Sequence, residues 1–243
     1  MQKVLSKNKI RKISVADQVF DQLKQLILDG TFKIGDKLPS EAELADTFGV
    51  NRLTIRLATQ RLCSAGVLEV RLGNGTYVKN FSLTDSLYDA REFLFTKDRM
   101  DEMNHLREIL EIECCALAIE KASNEEIHQL RQYADAFWEC RNRLIFNRDA
   151  VQASDYEDIL NVDIAYHRHL YLMSKNTLFY ELFTLMQDSI RQNLKEHLTT
   201  RLLQEANRKT DNHLVICEAI EARDFEKCRQ TYPLLLGRQS RQA

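Results

Sequence analysis

Glycine and proline are scarce in this 243-residue sequence, at seven and two residues. Outside one short segment there is no alternating strand pattern either. A largely β fold is therefore excluded, and the chain is predicted to be mostly helix. Long apolar runs are missing. None approaches the roughly 20 residues that a bilayer-spanning helix needs, so no membrane partner is expected. The first residues lack the apolar stretch of a signal peptide, which makes a cytoplasmic protein the expectation. Cys-x-x-Cys pairs are missing as well. The six cysteines are Cys63, Cys114, Cys115, Cys140, Cys217 and Cys228. Most fall inside predicted helices and read as free core thiols of a reducing compartment, with a redox sensor as the alternative. A large net charge is absent, at −2 overall, but the balance hides a split. Residues 1–80 carry thirteen Lys and Arg against eight Asp and Glu, a net of +5, and the remainder nets −7. What the chain does have is 44% hydrophobic residues. That is enough for a sizeable core in one large domain or two small ones.

The segment from Leu38 to Val78 spells two short helices, a tight turn and a β-ribbon in order. Ser40, with Glu43 three residues later, is a capping box that opens a helix. Leu44, Ala45 and Phe48 line one face, and Gly49 closes it. Asn51 is the predicted N-cap of a second helix, in which Ile55, Ala58, Leu62 and Ala65 keep helical spacing toward a core. Gly66 ends that helix. Leu68–Leu72 and Thr76–Lys79 then flank Gly73-Asn74-Gly75, a strong hairpin signal.

These are the parts of a winged helix-turn-helix, which makes double-stranded DNA the first partner to consider. Arg52, Thr54 and Arg56 lie on or near the first turn of the second helix. Arg suits guanine bidentately, and Thr suits a thymine methyl or a phosphate. Asn51 and the amides at the helix start suit a phosphate, and Ser40 joins this set at the start of the preceding helix. Arg71 and Lys79, with the hairpin tip at Gly73 and Asn74, suit the backbone or the minor groove. Lys3, Lys7, Lys9, Arg11 and Lys12 make residues 1–13 a basic tail, expected to be flexible and to add non-specific phosphate attraction. The plainer alternative is a small helical domain with a solvated basic face.

Gly30-Thr31-Phe32-Lys33-Ile34-Gly35-Asp36-Lys37-Leu38-Pro39-Ser40-Glu41, followed by Gly49-Val50-Asn51-Arg52, resembles the DNA-binding domain of the GntR family of bacterial regulators over about residues 15–79. Four positions depart from the family pattern. Asn51 stands where Ser or Thr is usual, Ile34 where Pro is common, Leu57 where Glu is common, and Ala42 where some relatives carry a DNA-contacting Arg. The resemblance implies a winged helix-turn-helix over residues 14–79 that binds an operator as a homodimer.

Residues 80–83 read as a linker, and 84–240 read as helix after helix. The predicted helices are Thr84–Phe95, Asp101–Lys121, one opened by a Ser123/Glu126 capping box and running to Phe146, and one opened by Ser154/Glu157 and running to Ser174. Thr177–His197, Gln204–Ala222 and Asp224–Gly237 follow. The fold class is thus mostly α: the winged head, then a bundle of about seven helices able to enclose a site between facing helices. Asp163 and His167 lie four apart on one helical face, the spacing a shared metal requires. His213 lies on the penultimate helix. Counting outward from the turn near Arg223-Asp224 brings His213 level with Leu235 on the last helix. His169, two residues from His167, is expected to point away and to be exposed. Pro233 is expected to distort the last helix.

Over about residues 84–240 this half resembles the ligand-sensing domain of the FadR-type subfamily of GntR regulators. That resemblance implies Asp163, His167 and His213 as ligands of a divalent metal such as zinc, nickel or manganese, with Leu235 in place of the expected fourth ligand. It also implies that Arg107, in Arg107-Glu108-Ile109-Leu110-Glu111, grips an effector carboxylate, and it points to Asn176 at the same site. Plainer alternatives stand beside these roles. Arg107 also suits an ion pair with Glu111 four residues on, Asn176 also suits a helix cap, and the histidines also suit a metal-free pocket. The function expected is a ligand-responsive regulator, most simply a repressor released by a small organic or sugar acid. A metal-free sensor of an acyl thioester is the second expectation. A metal-dependent hydrolase with a DNA-binding head ranks last, because no motif supplies a general base.

Overall fold

The structure, a computed structural model, describes residues 13–146, 151–205 and 210–236. The basic tail residues Lys3, Lys7, Lys9, Arg11 and Lys12, and the expected helix end at Gly237, lie outside the described residues. The chain divides into two compact units at Ser86–Leu87. The first unit thus runs past the segment 80–83. Ser86 Oγ donates to the Ala65 carbonyl at 3.2 Å, and Lys79 pairs with Asp85 at 2.6 Å, which ties this stretch to the head.

In the first unit, helices α1 (Val15–Leu28), α2 (Glu41–Phe48) and α3 (Arg52–Ser64) precede a ribbon of β1 (Leu68–Arg71) and β2 (Gly75–Val78). Val19 and Leu23 of α1, Leu44 of α2, and Ile55, Ala58 and Leu62 of α3 are buried together with Leu68 and Val78. Ala65, expected in that core, is instead exposed, because α3 ends one residue earlier and Ala65 is its C-cap. The capping box at Ser40 forms in both directions, and Gly49 closes α2 at φ +64°, a conformation that Cβ-bearing residues resist. The strands pair antiparallel, with Leu68 opposite Val78 and Arg71 opposite Gly75. The segment before α2 adds a third edge: Leu38 N–H donates to the Thr76 carbonyl at 2.9 Å, and Lys37 bridges Tyr77. No alternation in the sequence announces a bridge so short.

The second unit holds α4 (Arg91–Leu94), α5 (Met100–Lys121), α6 (Asn124–Phe146), α7 (Ala153–Met173), α8 (Thr177–Glu205), α9 (Asn212–Glu221) and α10 (Phe225–Leu235). Its core gathers Cys114, Leu130, Tyr166, Phe183, Ile216 and Tyr232, all fully buried. A second cluster around Phe137, Ile159, Leu160 and Leu198 extends it.

Four expectations for this half are corrected. Thr84–Phe95 is not one helix. Short helical turns at Leu83–Leu87 and Arg91–Leu94 flank a 3₁₀ turn at Tyr88–Ala90. None of these residues is buried, so no apolar face holds a long helix there. Helix α7 is opened by Gln152 with Asp155, not by Ser154 with Glu157. Glu157 is instead taken by Arg191 and Lys195 of α8. Helix α8 runs to Glu205 rather than His197, because Leu198 and Leu202 keep burying one side. Residue Gln204 therefore belongs to α8, and α9 starts at Asn212 under an Asp211 cap. Pro233 does sit inside α10, but in its last turn. There the lost N–H strands only the Arg229 carbonyl, and the helix still reaches Leu235.

Candidate functional site

The head turns most of its sequence-predicted residues toward its own architecture. Ser40 Oγ accepts from Glu43 N–H at 3.3 Å, and Asn51 Oδ1 accepts from Thr54 N–H at 2.8 Å and from its hydroxyl at 3.0 Å. These caps fix where α2 and α3 begin. Arg56 donates through Nε at 3.0 Å and Nη2 at 2.6 Å to Glu41. That pair locks the recognition helix to the start of α2. Arg71 pairs with Glu69 at 2.5 Å and lies 4.1 Å over the Tyr77 ring. Arg52 is exposed and makes no side-chain hydrogen bond among the described residues. Gly73, at φ +70°, and Asn74 form the hairpin tip. The start of α2 and the wing face one open groove of about 710 Å³, lined by Lys37, Ser40, Thr59, Val70 and Asn74.

In the helical unit, Asp163, His167 and His213 come together from α7 and α9. All three are buried, and one ligand atom from each lies within 4.8 Å of the others. His167 Nε2 stands 3.8 Å from Asp163 Oδ2, and His213 Nε2 stands 3.5 Å from Asp163 Oδ1. Each imidazole carries a carboxylate on its other nitrogen. Glu111 Oε2 is 2.8 Å from His167 Nδ1, and Asp211 Oδ1 is 2.5 Å from His213 Nδ1. With these carboxylates facing Nδ1, Nε2 of each ring is the nitrogen that a cation would take, by displacing any proton there. His213 Nε2 is buried without a hydrogen-bond partner among the described residues.

The charge balance is acidic. Burial pushes the Glu111 carboxyl up, but the charges of Arg107 and His167 outweigh it and hold it at about 2. Burial likewise disfavours a charged His213, yet Asp211 and Asp163 outweigh it and raise its pKa to about 9. Three buried carboxylates face one guanidinium and two imidazoles, so added positive charge is welcome here.

Arg107 forms the ion pair with Glu111 and also reaches a cavity. Its Nε donates to Glu111 at 3.0 Å, while Nη2 is buried without a partner among the described residues. It lines a cavity of about 50 Å³ with Asn104, Asp163, His167, Asn193 and Leu235. Leu235 is thus at the site, as the counting from the turn required. Asn176 is not in that lining: its Oδ1 accepts from Phe179 N–H at 3.2 Å and caps α8. His169 is half-buried rather than exposed, with Nε2 2.8 Å from the Glu126 carbonyl. The residues that sequence reasoning missed are Asp211, Asn104, Asn193 and Tyr232, whose hydroxyl lies 3.3 Å from His167 Nδ1. Only Asp211 carried a signal, since an Asp two before a helix-borne His is a cap that also reaches the ring.

A winged helix-turn-helix joined to a helical unit with a buried, polar, acid-rich cavity defines a DNA-binding transcription regulator with an effector-binding domain. Known proteins agree. Residues 15–78 match bacterial regulatory proteins of the gntR family, and residues 102–233 match the FCD domain. The transcriptional regulator LutR of Bacillus subtilis is 30% identical over 172 residues, covering 70% of this chain and 73% of LutR. The repressor NanR of Cronobacter sakazakii is 24% identical over 224 residues, 90% of this chain and 82% of NanR. A solved Streptococcus agalactiae GntR structure shares 26% identity and a TM-score of 0.59, covering 92% of this chain and 97% of that one. The chain belongs to the gntR family and carries an FCD domain. Its relatives are transcription regulators rather than enzymes, which sets the hydrolase alternative aside. Among the described residues no helix is long and apolar enough to cross a membrane.

Proposed function

We propose that this protein is a cytoplasmic, homodimeric repressor whose heads read the two halves of a pseudo-palindromic operator and whose helical units sense a small carboxylic acid. The observation that carries this reading is the buried Asp163–His167–His213 cluster with Arg107 at its rim. The donors fit a divalent cation such as zinc, nickel or manganese. They are three mixed N and O groups, each imidazole already oriented by a carboxylate, with one imidazole nitrogen buried and unpartnered. A bound cation would supply positive charge and open positions for an acid. Arg107 Nη2 would meet the acid's carboxylate, and Asn104 and Asn193 would meet its remaining polar groups.

The cavity is small. About 50 Å³ holds one or two waters, at about 30 Å³ each, which is room for a carboxylate group beside Arg107. Leu235, which offers no donor, favours one further reading: a metal-free pocket in which Arg107 alone holds the acid. Switching requires that the acid favour one arrangement of the heads over another, since equal affinity shifts nothing.

The test combines metal analysis of protein purified without chelator with thermal shift against short carboxylic acids. One metal per chain, and a stabilising acid whose effect is lost in Arg107→Ala, is the expected result. Absence of metal with an Arg107-dependent acid shift would select the metal-free pocket. No metal and no acid shift would refute the sensor.

A further inference from the structure

The first turns of the recognition helix α3 carry two leucines where the helix faces outward. Its buried residues, Ile55, Ala58, Thr59 and Leu62, define one side of the helix. At 3.6 residues per turn, Leu53 falls almost diametrically opposite that side, with Leu57 one turn on and slightly round the barrel. Leu53 is 63% exposed and Leu57 46% exposed. Arg52 and Arg56 lie to one flank, and Arg61, paired with Asp17, lies to the other. Arg52 is at the helix start, and Arg56 has two of its nitrogens committed to Glu41. A helix seated in the major groove puts its outward pole deepest among the base edges. At the N-terminal end of that pole, ahead of Gln60, stand the two leucines, which bring no donor or acceptor. What they match is the one apolar group on the groove floor, the C5-methyl of thymine.

We propose that Leu53 and Leu57 read thymine methyls, so that each half-site contains A·T pairs selected by apolar contact alongside whatever Arg52 selects. This rests on the placement of α3 in the major groove. It commits the exposed leucine pair to DNA rather than to another protein because the pair is continuous with the helix start that carries Arg52.

The full-length protein is put through selection on random duplexes, with and without short acids. Each thymine of the enriched sequence is then replaced by deoxyuridine, which removes only the methyl. One or two positions per half-site should lose about fourfold in affinity per methyl, the size expected for one buried methyl group. In Leu53→Ala or Leu57→Ala, checked for an unchanged melting curve, the same replacements should have no further effect. Placing 5-methylcytosine at those positions should recover part of the wild-type affinity. If uracil is tolerated everywhere, or costs the same in the leucine variants, the leucines do not read methyls while operator binding stands. If no sequence is enriched, this proposal and the placement of α3 in the groove fall together.

Discussion

His213 is oriented by a residue that would not touch a bound cation at all. Asp211 lies two residues earlier, caps α9 through the His213 amide at 2.8 Å, and holds Nδ1 of the same ring at 2.5 Å. One carboxylate therefore starts the helix and aims the imidazole. Outer carboxylates of this kind typically contribute 10–100-fold to metal affinity. Asp211→Asn keeps a capping oxygen but weakens the grip on Nδ1. Metal affinity, measured by competition against a chromogenic chelator, is expected to fall about tenfold or more while the fold persists. Unchanged affinity would show that the packing around the ring orients it instead: Phe137 at 4.2 Å and Tyr166 at 4.6 Å between centroids. The cysteines fit a quieter role. Among the described residues all six are free thiols. Burial pushes Cys217 up to about 12 and Cys114 further up, so neither is a ready nucleophile.

At the level of elements, caps were the most legible feature and contacts the least. Ser40/Glu43, Asn51 and Ser123/Glu126 each cap a helix as the sequence implied, because a capping residue acts on its own neighbours and nothing distant decides it. Ser154/Glu157 failed for a distant reason: Glu157 faces cations on α8 that no local pattern reveals. The same division holds at the sites. Asp163 and His167 share a helix and could be paired by spacing alone, and Leu235 could be placed by counting from a turn. Asn104 and Asn193 enter the cavity only through the packing of α5 and α8. Asn51 offers a direct check on the head. Asn51→Ala removes the acceptor of two hydrogen bonds at the start of α3. It should lower the stability of the head by about 1 kcal/mol, read from denaturant melts. Asn51→Asp should restore that stability and yet weaken DNA binding, since it puts a negative charge where phosphates approach. A stable Asn51→Asp head with full affinity would place Asn51 outside the interface.

Across the whole molecule, the positive charge that attracts DNA is unevenly stored. Residues 1–80 net +5, but five of their cations are Lys3, Lys7, Lys9, Arg11 and Lys12, and residues 13–80 balance at eight against eight. The winged head by itself therefore brings no net attraction. Its cations are local, and five of them, Lys24, Arg56, Arg61, Arg71 and Lys79, already face a carboxylate within the first unit. On the proposed reading, long-range attraction to the duplex would rest with the first twelve residues and sequence choice with α3 and the wing. Deleting residues 2–12 should separate the two. Each phosphate neutralised contributes about 0.9 to the slope of log affinity against log salt. The truncated protein should lose up to about four units of slope and bind much more weakly at low salt. Its preference for the selected operator over random duplex should be kept within a few-fold. An unchanged slope would mean that the head makes the phosphate contacts without the tail. A lost preference would mean that the tail itself reads bases, as minor-groove arms do.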